Sequence, residues 1–158
     1  MTVSDRIKSR KVMILMVIIL LLFAFILIDR FFITLVTVRG ASMDPNFCCG
    51  DRVLIISDRF IVEDLKTGDV VVFQSPVCED ELFIKRVIAT EGQEFCIDTG
   101  DLLINGESVC EDYIDDCEYI FRDYRKTCGE VPEGKLYLLG DNRNSSNDSR
   151  TFGYISES

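Results

Sequence analysis

The chain has 158 residues and a mass of 18.0 kDa, which is enough for one ordinary domain. Its formal net charge of −10 disfavours binding to nucleic-acid phosphates, so no nucleic-acid partner is predicted. The chain contains no histidine, which excludes Ser-His-Asp and Cys-His catalytic sites. Acid–base catalysis near neutral pH must therefore use a lysine, carboxylate, tyrosine or cysteine with a shifted pKa.

The first 33 residues have the pattern of a membrane anchor. A basic tail over residues 1–11 precedes the uninterrupted apolar run Val12–Ile28. As a helix this run is about 25 Å long, at the short end for a bilayer core of about 30 Å. The basic tail predicts a cytoplasmic N terminus. We therefore predict a tail over residues 1–11, a transmembrane anchor over 12–33 and an extracytoplasmic domain over 34–158.

A cleaved secretory signal and a buried core helix are the two alternatives to an anchor for the apolar run. A cleaved secretory signal also begins with basic residues, but its apolar region is usually shorter, and no Ala-x-Ala cleavage site follows here. A buried core helix would need a larger domain around it. The uncleaved anchor is favoured, which makes the lipid bilayer a partner and predicts a cell-membrane protein that crosses the bilayer once.

After the anchor, short β-type runs alternate with turn residues, which predicts a mostly β domain with a sheet or barrel-like arrangement. The predicted strands are Thr34–Val38, Arg52–Ile56, Val70–Phe73, Leu82–Ala89 and Lys135–Leu139. The strand Arg52–Ile56 is expected to be buried. Asn105-Gly106, between Leu102–Ile104 and Glu107–Val109, predicts a hairpin with a type I′ turn. The segment 107–134 is an acidic, cysteine-bearing excursion, and its region Glu107–Glu118, with six acidic residues and no basic one, is interpreted as solvated.

All seven cysteines lie in the predicted exported part of the chain, where disulfides are permitted. An odd number leaves at least one thiol unpaired. The chain has no CxxC pair and no histidine, so neither a metal site nor a cofactor is predicted. Partial disulfide pairing and packing of reduced thiols both stay open.

One serine stands in a loop that suits a nucleophile. Gly40-Ala41-Ser42-Met43-Asp44-Pro45 surrounds Ser42 with small residues and a proline at the end of a β run. Such a loop exposes the hydroxyl together with its backbone N–H, which can help to hold an oxyanion. Ordinary turn chemistry explains a serine before a proline equally well.

Two adjacent cations interrupt the apolar strand Leu82–Ala89. Because side chains alternate along a strand, Lys85 shares a face with Phe83 and Val87, whereas Arg86 lies on the other face. One cation therefore falls on a face predicted to be buried. Burial lowers the pKa of a lysine and makes it a usable general base. An edge strand with both cations in water is the alternative.

A dense polar loop, Gly140–Gly153, follows the last predicted strand. It offers hydroxyls, amides, two acids and two arginines within a short stretch, and such groups can orient a catalytic base. The alternative is an ordinary loop rich in Asn and Asp.

Together these segments resemble bacterial type I signal peptidases, which are membrane-anchored serine proteases with a Ser/Lys dyad. The resemblance covers nearly the whole chain, because the motifs follow the anchor in the family's order. These motifs are Ser42–Pro45, Gly50–Ile55, Gly68–Phe73, Ile84–Ile88, Gly140–Arg143, Asp148–Arg150 and Phe152-Gly153. The related self-cleaving repressors share the dyad but carry a DNA-binding domain, for which this chain has no room.

The resemblance implies a role for each matching residue. Ser42 corresponds to the nucleophile, Lys85 to the general base, and Ser146 to the serine that hydrogen-bonds and orients that lysine. The Ser42 N–H corresponds to an oxyanion donor, and Gly40 stands where some relatives carry a second, side-chain donor. Supporting positions are Arg86, Asp141, Arg143, Asp148 and Arg150. Asp148 and Arg150 are implied to form an ion pair. Shallow substrate pockets correspond to Val36, Val38, Met43, Phe83 and Ile84.

The implied activity is removal of N-terminal signal peptides from exported preproteins through an acyl-enzyme. The pockets of the family admit small side chains, typically alanine, at the first and third positions before the cut. A dedicated pilin or conjugation peptidase on the same scaffold and a catalytically silent anchored β domain are the alternatives. Only five residues follow Gly153, where relatives usually continue with another strand or helix, so a short, partial or impaired member is also expected.

Overall fold

The computed structural model describes residues 3–56, 64–78, 80–98, 100–114 and 126–157, with the side chains in these ranges except those of residues 3–9 and 26–33. The chain divides into two compact units. One comprises residues 1–36 and 54–62, and the other comprises residues 37–53 and 63–158.

The first unit contains a long N-terminal helix. Helix α1 spans Val3–Phe32, and its large apolar side chains between Val12 and Phe25 are each 48–67% exposed. Within the described part of the chain, no helix meets the combined length and apolarity that a membrane crossing requires.

A two-stranded sheet follows the helix. Strand β1 (Ile33–Thr37) pairs with strand β2 (Arg52–Ile56), and both lie where strands were predicted. The expected burial of β2 is wrong, because Leu54 and Ile56 are 59% and 56% exposed. Because side chains alternate along the strand, Leu54 and Ile56 share one face, and that face stays exposed in the described residues.

The second unit consists of two four-stranded antiparallel sheets, which confirms the mostly β prediction. The first sheet has the order β10-β9-β4-β3, with β3 at Val70–Gln74, β4 at Leu82–Thr90, β9 at Lys135–Leu139 and β10 at Ile155–Ser156. The second has the order β7-β6-β5-β8, with β5 at Glu94–Asp98, β6 at Asp101–Ile104, β7 at Glu107–Val109 and β8 at Thr127–Glu130. A short helix, α2 (Ser149–Phe152), precedes β10.

Strand β4 lies between β3 and β9, and both of its faces meet apolar partners. Ile88 belongs to a core cluster that includes Leu139 of β9 and Phe95 of the second sheet. Its neighbour Val87 points the opposite way and packs with Leu138 in a second cluster. A central strand with two covered faces reads as a nearly continuous apolar run, which explains the composition of β4.

The hairpin prediction is confirmed. Ile104 of β6 pairs with Glu107 of β7, and the two residues between them, Asn105 and Gly106, have φ angles of 51° and 81°. A type I′ turn needs positive φ at both positions, which asparagine and glycine tolerate.

Five elements lie where no element was predicted, namely β5, β8, β10, α2 and a 3-10 helix at Arg143–Ser145. The sequence of β5 does alternate, and Phe95 and Ile97 are its buried residues. The sequence of β8 carries no apolar alternation, and its register with β5 places Cys128 opposite Cys96. These two cysteines form a disulfide. Exposed free thiols stand at Cys48, Cys49, Cys78 and Cys110, and Cys117 lies outside the described residues.

Candidate active site

The Ser42 loop is closed at its base and anchored by one apolar side chain. The backbone of Val38 bonds to Asp51 O at 2.8 Å and accepts from Gly50 N–H at 3.0 Å. Met43, next to the serine, is only 1% exposed and holds the loop against the domain. Ser42 itself is partly exposed, and its N–H has no acceptor among the described residues. The hydroxyl and a free N–H are therefore available at the same position.

Lys85 points directly at this hydroxyl. Its Nζ lies 2.8 Å from Ser42 Oγ and donates to Ile84 O, also at 2.8 Å. The residue is 3% exposed, and its Nζ lies 5.2 Å from the centre of the Phe83 ring. Burial lowers the pKa of Lys85, and the negative charges of Asp148 and Asp141 partly oppose that shift. A lysine in this setting can be neutral and accept the Ser42 proton.

The neighbouring cation is sequestered as well, so the edge-strand alternative is wrong. The Arg86 side chain is 11% exposed, and its Nε and Nη2 donate to the two oxygens of Asp141 at 2.8 and 2.6 Å. Its Nη1 donates to Gly68 O at 2.7 Å. The physical reason is the position of β4, which has a hydrogen-bonded strand on each side.

The polar loop after β9 is organised by a buried carboxylate. Asp148 is fully buried and pairs with Arg150, whose Nε and Nη2 both lie 2.8 Å from its oxygens. The same carboxylate accepts from Gly140 N–H at 3.1 Å and caps helix α2. Arg150 also donates to Arg143 O at 2.8 Å. Asp148 and Arg150 therefore connect the end of the loop to its beginning, at Gly140 and Arg143.

Gly140 brings this loop against the nucleophile. A Cβ at Gly140 would lie 2.2 Å from Ser146 Oγ and 2.4 Å from Ser42 O, so only a glycine fits without a shift. Asn142 N–H donates to the same Ser42 carbonyl at 3.1 Å. The backbone of Ser42 is thus held directly by the loop that carries Ser146.

The hydrogen bond implied between Ser146 and Lys85 is not formed in this structure. Ser146 Oγ is buried and has no partner among the described residues. Lys85 Nζ has three positions for hydrogen bonds, and two of them engage Ser42 and Ile84. The third position is the one left for a serine hydroxyl.

The residues that the resemblance assigns to substrate pockets differ in how much of their surface is exposed. Val38 and Met43 are buried, with 5% and 1% of their surface exposed, and offer almost nothing to a ligand as they stand. Phe83 and Ile84, the two residues before Lys85 in β4, are partly exposed. Val36 is partly buried in β1 and belongs to the other compact unit.

The family model described as signal peptidase, peptidase S26, matches residues 9–158. The chain belongs to this family. It is 32% identical to signal peptidase IB of Staphylococcus aureus over 83% of the chain and 75% of that relative. It is also 35% identical to a probable thylakoidal processing peptidase 2, chloroplastic, of Arabidopsis thaliana, over 74% of the chain and 33% of that protein.

A solved structure agrees with this assignment. The crystal structure of a signal peptidase I from Enterococcus faecalis superposes with a TM-score of 0.54 at 28% identity, covering 61% of this chain and 92% of that one. The protein is a signal peptidase I, a serine endopeptidase that removes signal peptides from preproteins. The family is typically membrane-anchored.

Three residues of this peptidase's site belong to none of the sequence motifs. Asn46 donates to Asp141 Oδ2 at 2.9 Å. Glu111 forms an ion pair with Arg143, and the Tyr113 ring lies 3.9 Å from the guanidinium carbon of Arg86. The interpretation of Glu107–Glu118, within the excursion 107–134, as solvated is wrong for Glu111 and Tyr113, because both contact arginines of the site. Residues 115–125 of that segment lie outside the described residues.

Proposed function

We propose that Ser42 is the nucleophile and Lys85 the general base of this signal peptidase. The observation that carries the proposal is the 2.8 Å contact between Lys85 Nζ and Ser42 Oγ at a lysine that is 3% exposed. Without histidine, a desolvated lysine is the base that a serine hydrolase has available. The mechanism uses no metal ion and no cofactor.

The reaction proceeds in two halves. Neutral Lys85 takes the Ser42 proton as Oγ attacks the carbonyl carbon before the scissile bond, and the Ser42 N–H stabilises the developing oxyanion. Gly40 leaves space at the position where some relatives place a second donor. Lys85 then returns its proton to the departing amine, which leaves an ester on Ser42. In the second half Lys85 activates a water molecule that hydrolyses this ester.

The proposed substrate is the extended C-terminal end of a signal peptide, added as a strand beside the site. Phe83 and Ile84 form its accessible apolar border, and Val38 and Met43 are proposed to complete the pockets once substrate is bound. Narrow apolar pockets favour alanine over larger side chains at the first and third positions before the cut.

The proposed location is the cell membrane, with α1 as a single anchor and the catalytic domain outside the cytoplasm. The basic tail and the exposed apolar side chains between Val12 and Phe25 support this arrangement. This location puts the catalytic domain on the side of the membrane where the cleavage sites of exported preproteins emerge. The bilayer is then a permanent partner.

The test is cleavage of a signal peptide with Ala-x-Ala before the cut, using the full chain in detergent. Ser42→Ala is expected to abolish cleavage, and Lys85→Ala to lower kcat by at least about a hundredfold. Ser108→Ala and Lys126→Ala are matched controls, because both residues are exposed. Cleavage by Ser42→Ala at the wild-type rate would contradict the assignment of the nucleophile.

A further inference from the structure

A contact cluster joins the acidic segment to the arginines of the site. The side chains of Glu111 and Arg143 are 5% and 4% exposed, and both guanidinium Nη atoms donate to the carboxylate. The Tyr113 hydroxyl donates to the same carboxylate, and its ring covers Arg86. Burial and the neighbouring Glu111 charge raise the pKa of Tyr113, so its hydroxyl keeps its proton.

The same cluster reaches the nucleophile loop through Asn46. The amide Nδ2 of Asn46 donates to Tyr113 O and to Asp141 Oδ2. Asn46 stands four positions after Ser42. The segment around Tyr113 is thus bonded both to the loop that carries the nucleophile and to the acid that pairs with Arg86.

The other acids of this cluster are already engaged. Asp141 accepts from Arg86 and Asn46, and Asp148 accepts from Arg150 and Gly140. Glu111 accepts from both Nη atoms of the buried Arg143 guanidinium. Removing one charge of a buried ion pair is strongly unfavourable, because the remaining charge then stays desolvated without that pairing.

We propose that Glu111 and Tyr113 are positioning residues of the peptidase. They hold Arg143 and Arg86 in place, so that the loop Gly140–Gly153 keeps Ser42 and Ser146 correctly placed relative to each other. This inference rests on the proposed roles of Ser42 and Lys85. Few contacts separate Arg143 from the nucleophile, because Arg143 Nε donates to Gly140 O at 3.2 Å and a Cβ on Gly140 would lie 2.4 Å from Ser42 O. A displacement of about 1 Å at a reacting group can lower a rate by about a hundredfold.

The experiment measures kcat and KM of full-length variants in detergent with a signal-peptide substrate. Glu111→Gln is expected to lower kcat by about tenfold to a hundredfold while KM changes less than about twofold. Asp112→Asn is the matched control, because it removes the same charge from the exposed neighbouring residue. Tyr113→Leu is expected to lower kcat more than Tyr113→Phe, which keeps the ring over Arg86.

A double variant separates positioning from stability. Glu111→Leu with Arg143→Met removes both charges, so it is expected to fold even where Glu111→Gln does not. Its thermal midpoint should return towards the wild-type value while kcat stays low, because no arginine then holds Gly140 O. Recovery of kcat with the midpoint would overturn the proposal.

Ser42→Ala, run in the same series, keeps the two proposals distinct. If Ser42→Ala is inactive and Glu111→Gln cleaves as fast as Asp112→Asn, the positioning role is wrong and the nucleophile stands. If Ser42→Ala remains active, the proposed dyad itself fails.

Discussion

At the scale of single residues, the burial of Lys85 is the property that the proposed chemistry depends on. The strand alternation predicted that Lys85 or Arg86 would face the interior, and the structure sequesters both. The two side chains have different partners. Arg86 pairs its charge with the carboxylate of Asp141, whereas Lys85 Nζ bonds to a hydroxyl and a carbonyl. Desolvation therefore lowers the pKa of the group that is proposed to act as the base.

The pH dependence of kcat/KM tests this difference. Because burial lowers the pKa of Lys85, the neutral base is expected to form below about pH 10.4, the value for a free lysine. We expect kcat/KM to rise with pH through the Lys85 pKa and to level off above it. Measurement of kcat/KM across the pH range checks this expectation, and a rise delayed to the pKa of free lysine would contradict it.

The same shift has a consequence for stability. Between the folded pKa of Lys85 and about 10.4, the unfolded chain binds more protons than the folded one, so the free energy of unfolding rises with pH. Lys85→Met should remove that part of the slope in a denaturant titration. An unchanged slope in the variant would show that Lys85 titrates normally.

At the scale of elements, the proposed site depends on the junction between β9 and the polar loop Gly140–Gly153. The end of β9 at Leu139 was predicted from the glycine that follows. The sequence did not predict that a glycine is required there. The requirement arises from the close approach of Ser42, which lies almost a hundred positions earlier in the chain. Local patterns locate a strand end well, but they do not show what packs against it.

Gly140→Ala is expected to lower kcat by at least about tenfold, because the added Cβ would displace Ser42 O or Ser146. Gly129→Ala is the matched control. Its Cβ would meet the Tyr154 hydroxyl at 2.7 Å and the Phe95 ring at 3.3 Å, in the second sheet. We expect Gly129→Ala to lower the thermal midpoint while leaving kcat near the wild-type value. Equal losses of kcat in the two variants would mean that the effect at Gly140 is only one of stability.

At the scale of the whole molecule, the basic tail and α1 are expected to set the orientation of the protein in the membrane. The tail carries Arg6, Lys8, Arg10 and Lys11. Replacing these four by glutamate should reduce the fraction of protein whose catalytic domain lies outside the cytoplasm. Protease added to spheroplasts of a bacterial host measures that fraction. Lys126→Glu, at an exposed residue of the domain, should leave it unchanged. An unaffected orientation in the four-residue variant would contradict the proposed topology.

The amino-acid sequence by itself determined the family and most of the strands, and it predicted the dyad of Ser42 and Lys85. The lack of histidine, the serine among small residues and the lysine in an apolar strand are local features, as are the alternation and turn residues that mark strands. The tertiary structure decided the partners, because these join distant positions. Arg86 meets Asp141 across 55 positions, and Arg143 meets Glu111 across 32. Cys96 pairs with Cys128, also 32 positions away. No local pattern specifies such pairs, since each depends on which strands become neighbours when the sheets form.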